Sequence, residues 1–180
     1  MVKTATSLSD AHTEFIRSQN MFFVGTAPVG ARGHINVSPK GMDTFRILNP
    51  TAVAYLDLTG SGVETIAHLR ENGRIVIMFC AFQGPPNILR LYGRGRSVKP
   101  EDVEFPSLQE YFPVFASTRS IIVVDISRVS ASCGYGVPLM QHEGERPQLQ
   151  AWASKKGPDG LRAYRQEENR QSIDGLPGLD

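Results

Sequence analysis

Asp57-Leu58-Thr59-Gly60-Ser61-Gly62-Val63-Glu64-Thr65 is the stretch whose residue types and spacing most directly suggest chemistry. It joins an apolar run, TAVAYLDL, to a segment with helical spacing. Glycines and hydroxyls at a helix start offer unpaired N–H groups and the positive end of the helix dipole, a combination that suits phosphate. The same residues also read as a capping box, with Ser61 as the cap and Glu64 three positions on. A Walker A loop is excluded, because no Gly-Lys-Ser/Thr follows. A second candidate is Asn36-Val37-Ser38-Pro39-Lys40-Gly41. There Lys40 could meet a phosphate as a point charge and Ser38 could donate a hydrogen bond to it. Alone, this stretch is a strand ending in a surface turn; beside the first loop, the two could surround one anion.

Other residues offer less. Ser132-Cys133-Gly134-Tyr135-Gly136-Val137-Pro138 places two glycines beside a thiol and an aromatic ring, allowing close approach of backbone to a planar ligand, or simply a turn. Trp152 is a stacking or packing anchor. Cys133 and His142 could pair as nucleophile and base, but no orienting acid is identifiable. The four histidines, His12, His34, His68 and His142, show no metal-binding spacing, and His68, four residues after Glu64, reads as its surface partner.

Positioning these groups requires a β framework. Residues 8–20 carry an amphipathic helical pattern, with Ser9 and Asp10 as capping candidates and Leu8, Ala11, Phe15 and Ile16 on one face. MFFVGTAP and HINVSPKG read as an antiparallel hairpin, followed by a loop to Asn49-Pro50 and the strand TAVAYLDL. GVETIAHLREN reads as a helix closed by Asn72-Gly73. RIVIMFCAF is nearly continuously apolar and is expected to bury both faces. ILRLYGRGRSV forms the second arm of a hairpin with it, a short helix follows near residues 108–112, and SIIVVDISRVSAS is a long strand. Beyond Tyr135, Gly, Pro, Gln, Lys and Arg accumulate, with one helical stretch at residues 160–170 and a loop-like end. Largely sequential strands with short helices favour an antiparallel barrel over a doubly wound sheet.

Composition sets the remaining bounds. A chain of 180 residues fits about one domain. Nineteen Lys plus Arg against eighteen Asp plus Glu leave a net charge of +1, so no nucleic-acid or membrane partner is implied. No run reaches the roughly 20 apolar residues that cross a bilayer, and the N-terminus lacks a secretory apolar core, which leads us to expect a cytoplasmic protein. Cys80 sits in an apolar run, so it and Cys133 are expected as free thiols.

HINVSPKG and YLDLTGSGVETIAHLRENGRIVIMF together resemble the pyridoxamine 5′-phosphate oxidase-like family, the flavin-binding split β-barrels. The resemblance covers roughly residues 21–130 and implies a mainly β fold, a six-stranded antiparallel split barrel with peripheral short helices. It also implies a homodimer with FMN in a groove at the subunit interface and a small-molecule substrate. The expected organisation is a barrel with its N-terminal helix over residues 1–132 and a C-terminal extension over 133–180, packed on the barrel or on the partner. On this basis Asn36, Val37, Ser38 and Lys40 would line flavin and phosphate, and Asp57, Thr59, Ser61, Gly62, Val63, Glu64 and Thr65 would close the site. The implied activity is an FMN-dependent oxidoreductase using two-electron transfer through flavin N5; no metal and no catalytic proton donor is assigned.

Two departures stand out. Where members that oxidise pyridoxamine phosphate carry Ser-Arg-Lys, this chain has Ser61-Gly62-Val63, and their Arg/Trp substrate motif is not found. With fewer cations either FMN affinity is lower or Arg46, Arg90, Arg94 or Arg96 reaches in from the same or the partner subunit, although each also reads as a solvated strand residue. The alternatives are a non-catalytic flavin- or haem-binding protein, with His142 or Cys133 as axial ligand, and a deazaflavin-dependent reductase on the same barrel.

Overall fold

The computed structural model describes residues 3–179. The chain runs β1 (Lys3–Ala5), α1 (Asp10–Arg17), β2 (Phe22–Thr26), β3 (Asn36–Lys40), β4 (Phe45–Asn49), β5 (Ala52–Leu58), α2 (Glu64–Asn72), β6 (Arg74–Cys80), β7 (Ile88–Val98), α3 (Phe105–Gln109), β8 (Thr118–Ser132) and α4 (Gln148–Glu168). All pairings are antiparallel, in the order β3-β2-β6-β7-β8-β5-β4, with β1 added on β8.

The sheet rolls into a barrel. Phe22 on β2 and Phe45 on β4, near opposite ends of the strand order, meet edge to face at 5.1 Å, and Phe45 also meets Phe79 at 5.0 Å. Aromatic contacts of this geometry add packing energy beyond the area they bury. β3 and β4 do not pair with each other, so the barrel is split between them.

Alternation on β5 decides what each face meets. Val53 and Tyr55 point into the barrel core, and Asp57 continues that face to its end. Ala54 and Leu56 point outward into a second apolar layer with Val98, Phe112, Ile121 and Val123. Thus β5 is buried on both sides, and its only charged side chain has to find partners inside the protein. At Gly93, β7 carries a register irregularity; a Cβ there would lie 2.1 Å from the Asp125 carbonyl oxygen, so the close strand approach requires glycine.

Several expectations need correction. The sheet has eight strands among the described residues, not six: β1 has three exposed residues and no readable pattern, and β4 is partly buried along most of its length, giving no alternation. β6 buries Ile75, Ile77 and Phe79, but Val76 and Met78 on the other face remain partly exposed. The last helix starts at Gln148, with a break where Gly157 takes φ 66° ahead of Pro158. Ser9 does cap α1, in a reciprocal box with His12, and Gly73 closes α2 at φ 69°. Both cysteines are free, Cys80 buried and Cys133 exposed.

Candidate functional site

The strongest electrostatic feature forms at the end of β5. Asp57 is fully buried and receives Arg119 Nε at 2.6 Å and Arg119 Nη2 at 3.4 Å, the two-pronged contact that a planar guanidinium favours. Lys40 Nζ, from β3, approaches its other oxygen at 3.5 Å, which bridges the split in the barrel. Burial alone would raise the Asp57 carboxyl, but the charges of Arg119 and Lys40 outweigh it and hold it below the ordinary carboxylate range.

A third cation comes from the C-terminal helix. Arg165 Nε donates to Thr59 Oγ1 at 2.9 Å and its Nη2 to the Thr118 carbonyl at 3.0 Å. Burial, and next the like charge of Arg119, lower its pKa, while Asp57 partly opposes them. Asn169 completes the set: its side-chain oxygen accepts from Arg119 at 2.9 Å, and its amide donates to the Gly60 carbonyl at 2.8 Å. Three cations therefore gather around one buried carboxylate, beside an open glycine loop. Nothing lies within 4 Å of where a Cβ on Gly60 would sit.

The helix start differs from the capping-box reading. Val63, not Ser61, is the cap, and it makes no side-chain bond; Glu64 is already in the first turn and accepts instead from the Ile173 N–H at 3.2 Å. The first bond of α2 runs from Ala67 N–H to the Val63 carbonyl, so the N–H groups of Glu64, Thr65 and Ile66 precede the helical ladder.

Along the same partly buried face of β3 as Lys40 lies a neutral network. Asn36 donates to Thr26 Oγ1 at 3.2 Å and Thr65 Oγ1 at 3.1 Å, while Ser38 Oγ donates to Asn36 Oδ1 at 3.0 Å. Thr26 Oγ1 also contacts His68 Nδ1 at 2.9 Å. His68 is buried, not the surface partner of Glu64: α2 turns it onto β2, and loss of hydration pushes its pKa down against the opposing charges of Asp174, Glu64 and Glu71. Tyr55, on the inward face of β5, is fully buried beside Thr65, and loss of hydration, with the Asp57 charge next, raises its hydroxyl well above the ordinary tyrosine range.

Of the expected residues, Lys40, Asp57 and Thr59 enter the charged cluster, and Asn36, Ser38 and Thr65 the neutral network. Val37 is 65% exposed on the edge strand β3, and Ser61 and Gly62 remain exposed on the loop. None of the four candidate arginines enters the cluster from within its own chain. Arg46 pairs with Asp43, Arg90 with Ser132, Arg94 with the Asn72 carbonyl and Arg96 with Glu104. Arg119, Arg165 and Asn169 take their place. The position of Arg119 inside an apolar strand, TRSIIVV, was a readable signal, since a charge there needs a buried partner. Arg165 and Asn169 had none, because their contacts span 47 to 109 residues of sequence.

Beyond Lys40 opens a cleft of about 1040 Å³ between α1, the end of β3, the β6–β7 turn and residues 140–149. Met21, Met42, Phe82 and Met140 give it an apolar wall. His142 sits on its rim, 3.5 Å from Glu145, and Trp152 packs on Tyr164 at 5.0 Å. Among the described residues no group of three potential ligands could hold a metal ion. Among the described residues no helix is long and apolar enough to cross a membrane.

Comparison with known proteins places this geometry. The family model for pyridoxamine 5′-phosphate oxidase matches residues 8–133. The chain belongs to the pyridoxamine 5′-phosphate oxidase family. A pyridoxamine 5′-phosphate oxidase family protein of Aspergillus flavus, ustO, is 41% identical over 190 residues, covering 96% of this chain and 76% of that protein. Two solved structures share the fold. HupZ of Group A Streptococcus aligns with TM-score 0.53 at 18% identity, covering 68% of this chain and 91% of its own. A FAD-binding protein from Mesorhizobium loti aligns with TM-score 0.51 at 14% identity, covering 73% and 96%. The family match spans both the charged cluster's Lys40, Asp57 and Arg119 and the whole neutral network; Arg165 and Asn169 lie beyond it.

Proposed function

We propose that this member of the pyridoxamine 5′-phosphate oxidase family is a flavin-dependent oxidoreductase that holds FMN, with the phosphate at the Lys40–Asp57–Arg119–Arg165 cluster. The observation that carries the reading is the excess of cations over carboxylates there. Two arginines and a lysine around one aspartate repel each other until an anion joins them, and the amide-rich start of α2 adds donors for it. A dianionic phosphate meets both demands. Family membership and the FAD-binding fold relative support a flavin as its carrier.

Bound FMN supplies two-electron redox chemistry, so the protein need only bind, orient and shield it. Lys40 belongs both to the cation cluster and to the wall of the apolar cleft. A ligand anchored by its phosphate at the cluster can thus extend a planar, apolar body toward that cleft, which also leaves space for a substrate. Asp57, fully engaged by Arg119 and Lys40, holds these cations in place rather than moving protons. We infer further that two copies complete the groove, since β3 has no strand on its outer edge among the described residues and exposes Val37, with Ile35 exposed just before it.

Titration of the purified protein with FMN tests the reading. A bound flavin doublet is expected, and Lys40→Ala with Ser61→Ala should weaken FMN binding by about tenfold or more, the loss of one or two charge-assisted contacts. A protein that is colourless and fails to take up FMN overturns it. A Soret band or a deazaflavin peak in the native protein would replace FMN by those ligands.

A further inference from the structure

Helix α4 runs for 21 residues yet buries only Ala153 and Leu161, so apolar burial gives it little hold on the barrel. It is also two helices rather than one. Gly157, at φ 66° and ψ 175°, breaks it ahead of Pro158, in a backbone conformation open essentially to glycine. Apart from its own local backbone, nothing lies within 4 Å of where a Cβ on Gly157 would sit. The two pieces meet across this break. Trp152 packs edge to face on Tyr164 at 5.0 Å, and Lys156 Nζ lies over both rings, 5.5 Å and 5.0 Å from their centres.

The distal piece continues into a segment that folds on itself. Ser172 N–H donates to the Leu176 carbonyl at 2.9 Å, Gly178 N–H to the Arg170 carbonyl at 2.8 Å and Leu179 N–H to the Asn169 carbonyl at 2.7 Å. Residues 158–179 thus form one unit, which places Leu161 and Leu179 on the barrel and otherwise holds to it mainly through polar groups. The polar contacts of Arg165 and Asn169 converge on the charged cluster, where the charges are unbalanced. Arg119 already engages Asp57, and docking the unit adds Arg165, which has no ion pair among the described residues. Burial and the Arg119 charge both work against its protonated form there. A phosphate between Arg119 and Arg165 would turn that repulsion into two attractions.

We propose that residues 158–179 are a clamp that swings on Gly157 and closes over the charged cluster when a phosphate-bearing ligand occupies it, with Arg165 as the group that senses the anion. The Trp152–Tyr164 contact across the hinge belongs to the closed form. The anion itself rests on the reading above; the clamp couples its binding to the tail. By linkage, the factor by which phosphate favours docking is the factor by which docking favours phosphate. Closure also covers the start of α2, with Asn169 on the Gly60 carbonyl and Ile173 on Glu64, so release of a ligand held there waits on opening. The match to the family model ends at residue 133, so the device belongs to the tail and not to the barrel.

Inorganic phosphate is the probe, since it is transparent where tryptophan emits, and chloride at matched ionic strength controls for screening. Trp152 is the only tryptophan of the chain, so its emission reports the hinge. Calorimetry on the full-length protein gives the phosphate Kd. At about ten times that concentration, phosphate should change Trp152 emission and slow trypsin cleavage after Arg170 by about tenfold, the factor by which a ligand depletes an open form that it does not bind. Chloride should do neither. Arg165→Ala should lose both responses. Gly157→Ala, remote from the cluster, should weaken phosphate by about tenfold, because alanine resists the closed backbone. Lys40→Ala should weaken phosphate as well, yet keep the slowing once phosphate again stands at about ten times the variant's own Kd. Phosphate that binds without moving emission or cleavage, or a Gly157→Ala protein of wild-type phosphate affinity, overturns the clamp and leaves the phosphate site standing. A wild type that binds no phosphate overturns both.

Discussion

The two polar flanks of the site, one at each end of the partly buried face of β3, solve the same problem, a polar site at the mouth of an apolar barrel, by opposite means. On one flank four charged groups, Lys40, Asp57, Arg119 and Arg165, come from β3, β5, β8 and α4. On the other, Thr26, Asn36, Ser38, Thr65 and His68 form a chain of uncharged hydrogen bonds from β2, β3 and α2. Charges attract an anion over distance but discriminate poorly between anions. Ordered neutral hydrogen bonds attract weakly, yet leaving one unmatched costs most of its worth, so they discriminate well. The division fits a ligand with an anionic handle and a neutral head whose ring edges need to be told apart.

Energetics should separate the flanks most sharply at Asp57. Asp57→Ala leaves Arg119 and Lys40 facing one another in a buried setting, and breaking a buried pair in this way costs about 3–5 kcal/mol. Chemical denaturation should report that loss, and a loss below about 1 kcal/mol would show that the cluster is already solvated. The pH dependence follows from the same residue. Its carboxyl titrates lower in the folded protein than in the unfolded chain, so its contribution is complete above about pH 4 and disappears as the pH falls through the lower folded value. Asp57→Asn should accordingly flatten the acid limb of the stability profile.

How much of this could be read beforehand depends on sequence distance. The β2–β3 and β6–β7 hairpins, the β5–α2 junction and the cap of α1 were legible because their signals are local: alternation, Gly after the last helical turn, Ser before the first. Both loops of the candidate site were legible for the same reason. Of the cations, Lys40 was legible in its loop and Arg119 left a trace as a charge inside an apolar strand, but Arg165 did not: the loop Ser61-Gly62-Val63 carries no basic residue, and this cation comes from the C-terminal helix, where no periodicity marks it. His68 misled because helical spacing gives a face but not a direction: four residues from Glu64 is a surface pairing on an isolated helix and a buried one when the helix lies on β2.

Arg165 tests whether the tail belongs to the charged flank in function as well as in contact. Its removal takes one cation from three without leaving Asp57 unpaired, so the fold should tolerate it. Arg165→Ala should weaken FMN by about tenfold and leave unchanged the affinity for riboflavin, which has the ring without the phosphate. An equal loss for both flavins would mean that Arg165 shapes the ring pocket instead.

The smallest effect is expected where the tail returns over the start of α2. Asp174 accepts from His34 Nδ1 at 2.6 Å and from the His34 N–H at 2.7 Å, and those bonds, the ring's first, hold its carboxyl below the usual range. His34 is largely exposed, so water competes for the charge and the pair resembles an exposed ion pair rather than the Asp57 cluster. The tail has other anchors besides: Arg70 on the Gly178 carbonyl, Leu179 N–H on the Asn169 carbonyl at 2.7 Å, and Ile173 on Glu64. Asp174→Asn keeps an acceptor for the His34 N–H while removing the charge. Global unfolding at neutral pH should therefore be unmoved, and limited proteolysis of residues 170–179 should quicken by only about twofold, a local opening rather than a global one. A global loss approaching that of Asp57→Ala would make the exposed contact as integral to the fold as the buried cluster. The contrast between solvated and buried charge would then fail to explain how this protein holds its site together.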